Sequence, residues 1–214
     1  MTSAEAYHWL TSGAGRSICQ QFDVHVVACV FSLAIEEARQ GSTLCDALGL
    51  TPAELSELTD EYFPHAATLY AELDPELRPV LADDEVCLRD MLSRSTTERS
   101  RFQGLLALII ARRSQSPNHL WQDLGLRNRR ELSWLMARHF ERIAARNVND
   151  MKWKKFLYRL ICRDHGFTLC TAPSCSECDD FNACFGDESG ESRLAVARRD
   201  AELACQKPNN PNLP

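Results

Sequence analysis

Apolar positions recur at helical spacing along most of this chain. In "DVHVVACVFSLAIEEARQG", Val24, Val27, Ala28, Phe31 and Ile35 share one face, and Gly41 stops the pattern. "ERSRFQGLLALIIARR" gives a second stripe of Phe102, Leu105, Leu106, Ile109 and Ile110. "NRRELSWLMARHFERIAARN" opens with Asn128 and Glu131 in cap spacing, followed by Leu132, Leu135, Met136, Phe140 and Ile143. "MKWKKFLYRLICRD" sets Trp153, Phe156, Leu157, Leu160 and Ile161 against an opposite face of Lys154, Lys155, Arg159 and Arg163. "TPAELSELTDEYF" begins with Thr51, Pro52 and Glu54, a capping box with proline at the first helical position, and ends before Pro64. No run alternates as a strand does, so the pattern predicts an all-α fold. Residues 72–85 read as a connection, "DESGES" at 187–192 as a loop, and Arg193 to about Cys205 as a short helix.

The pattern also repeats. "LCDALGLTPAELSELTDEYF" (44–63) matches "LWQDLGLRNRRELSWLMARHF" (120–140), with one residue inserted between the shared Leu-Gly-Leu and Glu-Leu-Ser. Phenylalanine follows each shared glutamate by nine residues. Gly49 and Gly125 sit where one helix ends and a capped one begins, so both segments read as helix–turn–helix hairpins. The expected architecture is a helical bundle of such hairpins. It forms one domain over 1–206, with a cysteine-rich loop at 170–184 and a disordered tail at 207–214.

Composition adds little until charge is mapped. A chain of 214 residues, 44% hydrophobic, can bury a core without disulfides. The start shows no basic segment followed by an apolar run, and the most apolar stretch, "GLLALII", is too short for a bilayer. A cytoplasmic protein is expected, so the 10 cysteines read as thiols, metal ligands or redox groups. The net charge of −6 is unevenly spread. Eleven carboxylates between 54 and 90 face only Arg78 and Arg89, whereas eleven bases between 127 and 163 face Glu131, Glu141 and Asp150.

The candidate chemistry lies just past that basic block. Cys170, Cys175, Cys178 and Cys184 are spaced C-x4-C-x2-C-x5-C. Chance and a disulfide pair are poor explanations. Structural zinc remains open, although its knuckles are usually set further apart. One compact loop suits an iron–sulfur cluster better, and the opening C-x4-C-x2-C follows plant-type ferredoxin spacing. Cys162, His119, His139 and His165 are further candidate ligands, and His139 lies on an apolar stripe where a core role is the default. The hairpins and basic block admit a second reading, an iron–sulfur redox-sensing transcription regulator that binds DNA. The overall acidity of the chain disfavours nucleic acid.

The cysteine spacing followed by "FG", together with "LWQDLGL", "RHF", "ARNVNDMKWKKFLYRLIC" and Gly166, resembles the NifQ family over about residues 95–186. The resemblance implies a carrier rather than an enzyme: an iron–sulfur molybdoprotein that acquires molybdenum, from molybdate or another source, for iron–molybdenum cofactor assembly in nitrogen fixation. It implies the nitrogenase iron protein and the NifEN scaffold as partners. It also implies that Cys170, Cys175, Cys178 and Cys184 hold a 4Fe-4S or a molybdenum-containing Mo-Fe-S cluster.

Overall fold

A computed structural model describes residues 1–13, 18–164, 184, 188 and 190–206. Among these the protein is all-helical, with no strand. At the centre runs α2 (Ile18–Arg39), whose Val26 to Ala34 are buried without interruption. A helix buried all round must be wrapped by others. Helix α1 (Ser3–Ser12) lies along it, capped by Thr2 and Glu5, and α3 (Leu44–Leu48) follows after a turn. Sequence periodicity gave no sign of α1, whose apolar face is only Ala6 and Leu10.

The two predicted hairpins form. The first joins α3 to α4 (Pro52–Tyr62), the second joins α7 (Leu120–Asp123) to α8 (Arg129–His139). Gly49 and Gly125 both adopt φ near +70° (+68° and +73°), the left-handed conformation that reverses a chain at low cost to glycine. The repeat extends to the far ends. Phe63 and Phe140 both end their helices in the same non-helical turn (φ −140° and −137°), both are fully buried, and their N–H groups donate to the carbonyls of Thr59 and Met136. That turn breaks the long helix expected over 128–143: α8 stops at His139, and α9 (Glu141–Ala144) is a separate turn. A 3-10 turn over Pro64–Leu69 occupies the equivalent place after Phe63.

The connection expected over 72–85 is shorter than the spacing predicts. Helix α5 (Asp83–Arg94) begins inside it, with Asp83, Asp84 and Glu85 in its first turn where the helix dipole favours acids. It packs antiparallel to α6 (Arg101–Ser114), a hairpin held by buried Glu85, which meets Arg89 at 2.6 Å and Arg112 at 3.1 Å. Helix α10 (Trp153–Asp164) lies against α5, and Tyr158 donates to Asp84 at 2.9 Å, so the basic and acidic segments meet inside the molecule. Helix α11 (Arg193–Gln206) lies beside α1. No helix among the described residues is long and apolar enough to cross a membrane. The expected tail at 207–214 lies outside the described residues.

Candidate metal-cluster site

Of the four candidate cluster cysteines, Cys184 is described; Cys170, Cys175 and Cys178 lie outside the described residues, as does His165. Cys184 is half-buried, and its carbonyl accepts a hydrogen bond of 2.8 Å from the backbone N–H of Lys152, one residue before α10. The chain therefore leaves α10 at Asp164 and is back at the opposite end of that helix by Cys184. Twelve residues of helix separate those ends by about 18 Å.

Five contacts then pin Glu188, Glu191 and Arg193, which follow. Glu188, 5% exposed at its side chain, meets Arg129 at 2.9 Å and His119 at 3.3 Å. The Glu191 carbonyl accepts from Gln122 at 3.1 Å. Arg193 reaches Glu37 at 3.2 Å and Asp123 at 3.5 Å. Together with the Lys152–Cys184 bond, these hold the described residues Cys184, Glu188 and 190–193, a strap across α7, α8 and the start of α10.

Asp123 anchors this region from below. It is fully buried, and it accepts from Lys154 at 2.6 Å and Asn118 at 2.9 Å. Burial pushes the Lys154 ammonium below its ordinary range, and the Asp123 carboxylate partly restores it. The sequence places Lys154 on a basic outer face; the structure instead turns it inward onto Asp123 and the Ser116 carbonyl. A second buried pair lies alongside, where Arg113 (2% exposed) bonds both oxygens of Glu37 at 2.9 and 2.8 Å.

A cleft of about 360 Å³ opens beside the strap, lined by His119, Gln122, Lys152, Lys154, Lys155 and Glu188 among others. Lys152, whose backbone holds the one described cysteine of the set, thus lines a cleft with Lys154 and Lys155 at the first turn of α10. Thiolates around an iron–sulfur core carry net negative charge, so this setting fits such a group. Among the described residues no group of three His, Cys, Asp or Glu side chains could hold a metal.

The remaining candidates separate clearly. His119 faces the strap. Cys162 is half-buried in the last turn of α10. His139 is a core histidine: its Nε2 lies 3.0 Å from Asp23 and its Nδ1 3.3 Å from the Gln103 amide, so both ring nitrogens are occupied. Sequence reasoning missed Asp123 and Glu188. The available signal for Glu188 was an acid four residues past the last cysteine, facing a basic block.

A second polar cluster lies away from the strap. Tyr7, His25 and Glu131 join α1, α2 and α8 in a relay, with the Tyr7 hydroxyl 2.8 Å from His25 Nδ1 and His25 Nε2 3.2 Å from Glu131. A carboxylate only accepts, so in the neutral ring Nε2 carries the hydrogen and Nδ1 accepts from Tyr7. Cys29 touches the same ring, and burial pushes its thiol far up, keeping it protonated.

The NifQ family model matches residues 26–186. A protein NifQ homolog of Sinorhizobium fredii is 41% identical over 186 residues, covering 85% of this chain and 79% of that protein. Protein NifQ of Rhodobacter capsulatus is 39% identical over 141 residues, covering 66% of this chain and 77% of its own. Protein NifQ of Azotobacter vinelandii is 33% identical over 152 residues, covering 66% and 78%. No solved structure matches. With three quarters of its length matched by that model and relatives covered over most of theirs, this chain belongs to the NifQ family of nitrogen fixation proteins.

Proposed function

We propose that this chain is a molybdenum carrier. It takes molybdenum as cargo, holds it in an iron–sulfur environment and donates it to assembly of the iron–molybdenum cofactor of nitrogenase. The family membership supports the biological setting. The observation that carries the chemistry is the set of four closely spaced cysteines whose last member is tied to the lysine-rich start of α10. Cys170, Cys175, Cys178 and Cys184 are the proposed ligands of a 4Fe-4S or Mo-Fe-S cluster.

Sulfur donors suit iron and also reduced, thiophilic molybdenum. When bound, the cluster supplies sulfide corners at which molybdenum can be held and given up. The protein's own part is to seat it. Lys152 fixes the backbone at Cys184, while Glu188 with Arg129 and His119 sets the path of the chain just beyond. The role is that of a cytoplasmic accessory protein without catalytic turnover. Its proposed partners are the nitrogenase iron protein and the NifEN scaffold. The DNA-binding alternative is not favoured, because Arg129, Arg138 and Lys154 of the basic block each meet a carboxylate within the molecule.

Purification without oxygen from cells supplied with iron and molybdate tests the reading. A brown protein containing iron, acid-labile sulfide and molybdenum is expected, and each Cys→Ala change within 170–184 lowers all three. Protein that carries only zinc, or no metal, overturns it.

A further inference from the structure

A second cavity among the described residues shares no lining residue with the lysine-lined cleft. It measures about 560 Å³ and opens between α1, α2, the α7–α8 turn and α11. That volume falls in the range of pockets that hold small molecules, roughly 300–1,000 Å³. Its walls combine apolar surface from Ala4, Leu194, Ala195 and Val196 with a polar edge of Tyr7, His25 and Arg127. Two more arginines of α11, Arg198 and Arg199, also line it. The lining carries one acid, Glu191, which is paired with Arg199 at 3.1 Å. The cavity is therefore positively biased.

Arg127 is the distinctive group. In the first hairpin Leu50 runs directly into the cap Thr51; in the second, Arg127 is inserted between Leu126 and the cap Asn128. Its backbone N–H is used, donating to Glu131 at 2.9 Å. Its guanidinium reaches that carboxylate only through Nε at 3.7 Å, and the side chain is 71% exposed. It also hydrogen-bonds the Tyr7 hydroxyl, and its remaining N–H donors can face a ligand. Beside it the Tyr7–His25–Glu131 relay fixes the phenol oxygen by hydrogen bonding to an anchored imidazole. An alkyl wall next to a planar, bidentate cation matches a small molecule with a short carbon chain and a carboxylate.

We infer that this cavity binds a small aliphatic carboxylate, with Arg127 as its anchor and the first turns of α11 as its cover. The inference does not rest on the metal-carrier reading. It is tested by calorimetric titration of the full chain with succinate and citrate, with succinamide, sulfate and inorganic phosphate as controls. At least one carboxylate gives saturable binding, Arg127→Gln weakens it about tenfold or more, and Lys155→Gln in the other cleft changes it by less than about twofold. Ala195→Trp fills the cavity from an exposed position of α11 and abolishes binding with the helical circular dichroism spectrum intact. It serves if Arg127→Gln does not fold. Four results would overturn the inference: no saturable heat with either carboxylate, succinamide binding as tightly, phosphate or sulfate binding as tightly, or binding that survives both substitutions.

Discussion

At the scale of the residue, Asp123 carries the heaviest single responsibility. It is fully buried, and it answers Lys154, Asn118 and Arg193 from one carboxylate. Removing one partner of a buried ion pair leaves the other charge uncompensated, which costs about 3–5 kcal/mol. Asp123→Ala should lower stability by that order in denaturant unfolding. Glu57→Ala, which breaks the solvent-exposed pair with Arg101, should cost less than about 1 kcal/mol. Equal effects would contradict this account. Glycines offer a second contrast. A Cβ at Gly125 would come within 2.8 Å of the Cys29 carbonyl oxygen, and the backbone there is left-handed. Gly125→Ala is therefore expected to cost on the order of 1–3 kcal/mol. Gly104 is the fourth residue of α6, with open space where a Cβ would stand, so Gly104→Ala should stabilise by about 0.5–1 kcal/mol. Thermal melts of the two variants should shift in opposite directions.

At the scale of the element, the joint between α1, α2 and α8 is sensitive to acid. Burial works to raise the Glu131 pKa, but hydrogen bonds from His25 and from the Arg127 N–H, with the nearby charges, bring it below its ordinary value. A carboxylate whose folded pKa is depressed stabilises the fold above its unfolded pKa, and that contribution fades as pH falls through the folded one. Stability of the wild type should therefore decline more steeply than that of Glu131→Gln as pH drops below the normal carboxylate range; parallel curves would argue against it. Elements were legible in the sequence where their apolar stripes were broad, as in α2, α6 and α10. The two hairpins were legible because glycine and cap chemistry mark both ends of each turn. The break at Phe140 was not, since Leu132 to Ile143 keep their helical spacing straight through a residue that has left the helix. Helix α5 was hidden because its first turn is three acids, which read as linker although a helix N-terminus favours them. Of the candidate site, the cysteine spacing and the basic block were visible; the inward turn of Lys154 was not, because its partner Asp123 is remote in sequence and belongs to a four-residue helix.

At the scale of the whole molecule, the strap joins the cysteine segment to three helices at once. If the metal-carrier reading holds, Arg129→Gln, which removes the charge opposite Glu188, should speed loss of iron to a chelator severalfold while leaving the helical spectrum unchanged. Arg94→Gln, which breaks an exposed pair on α5, should not. Identical release rates would remove the strap from the account of how cargo is held. The neighbouring placement of α1 and α11 has one more implication. Helices α1 and α11 shield one another, so the side chains that close the Tyr7 cavity are drawn from segments far apart in sequence. A change that loosens either helix will therefore open the cavity along a seam shared by both.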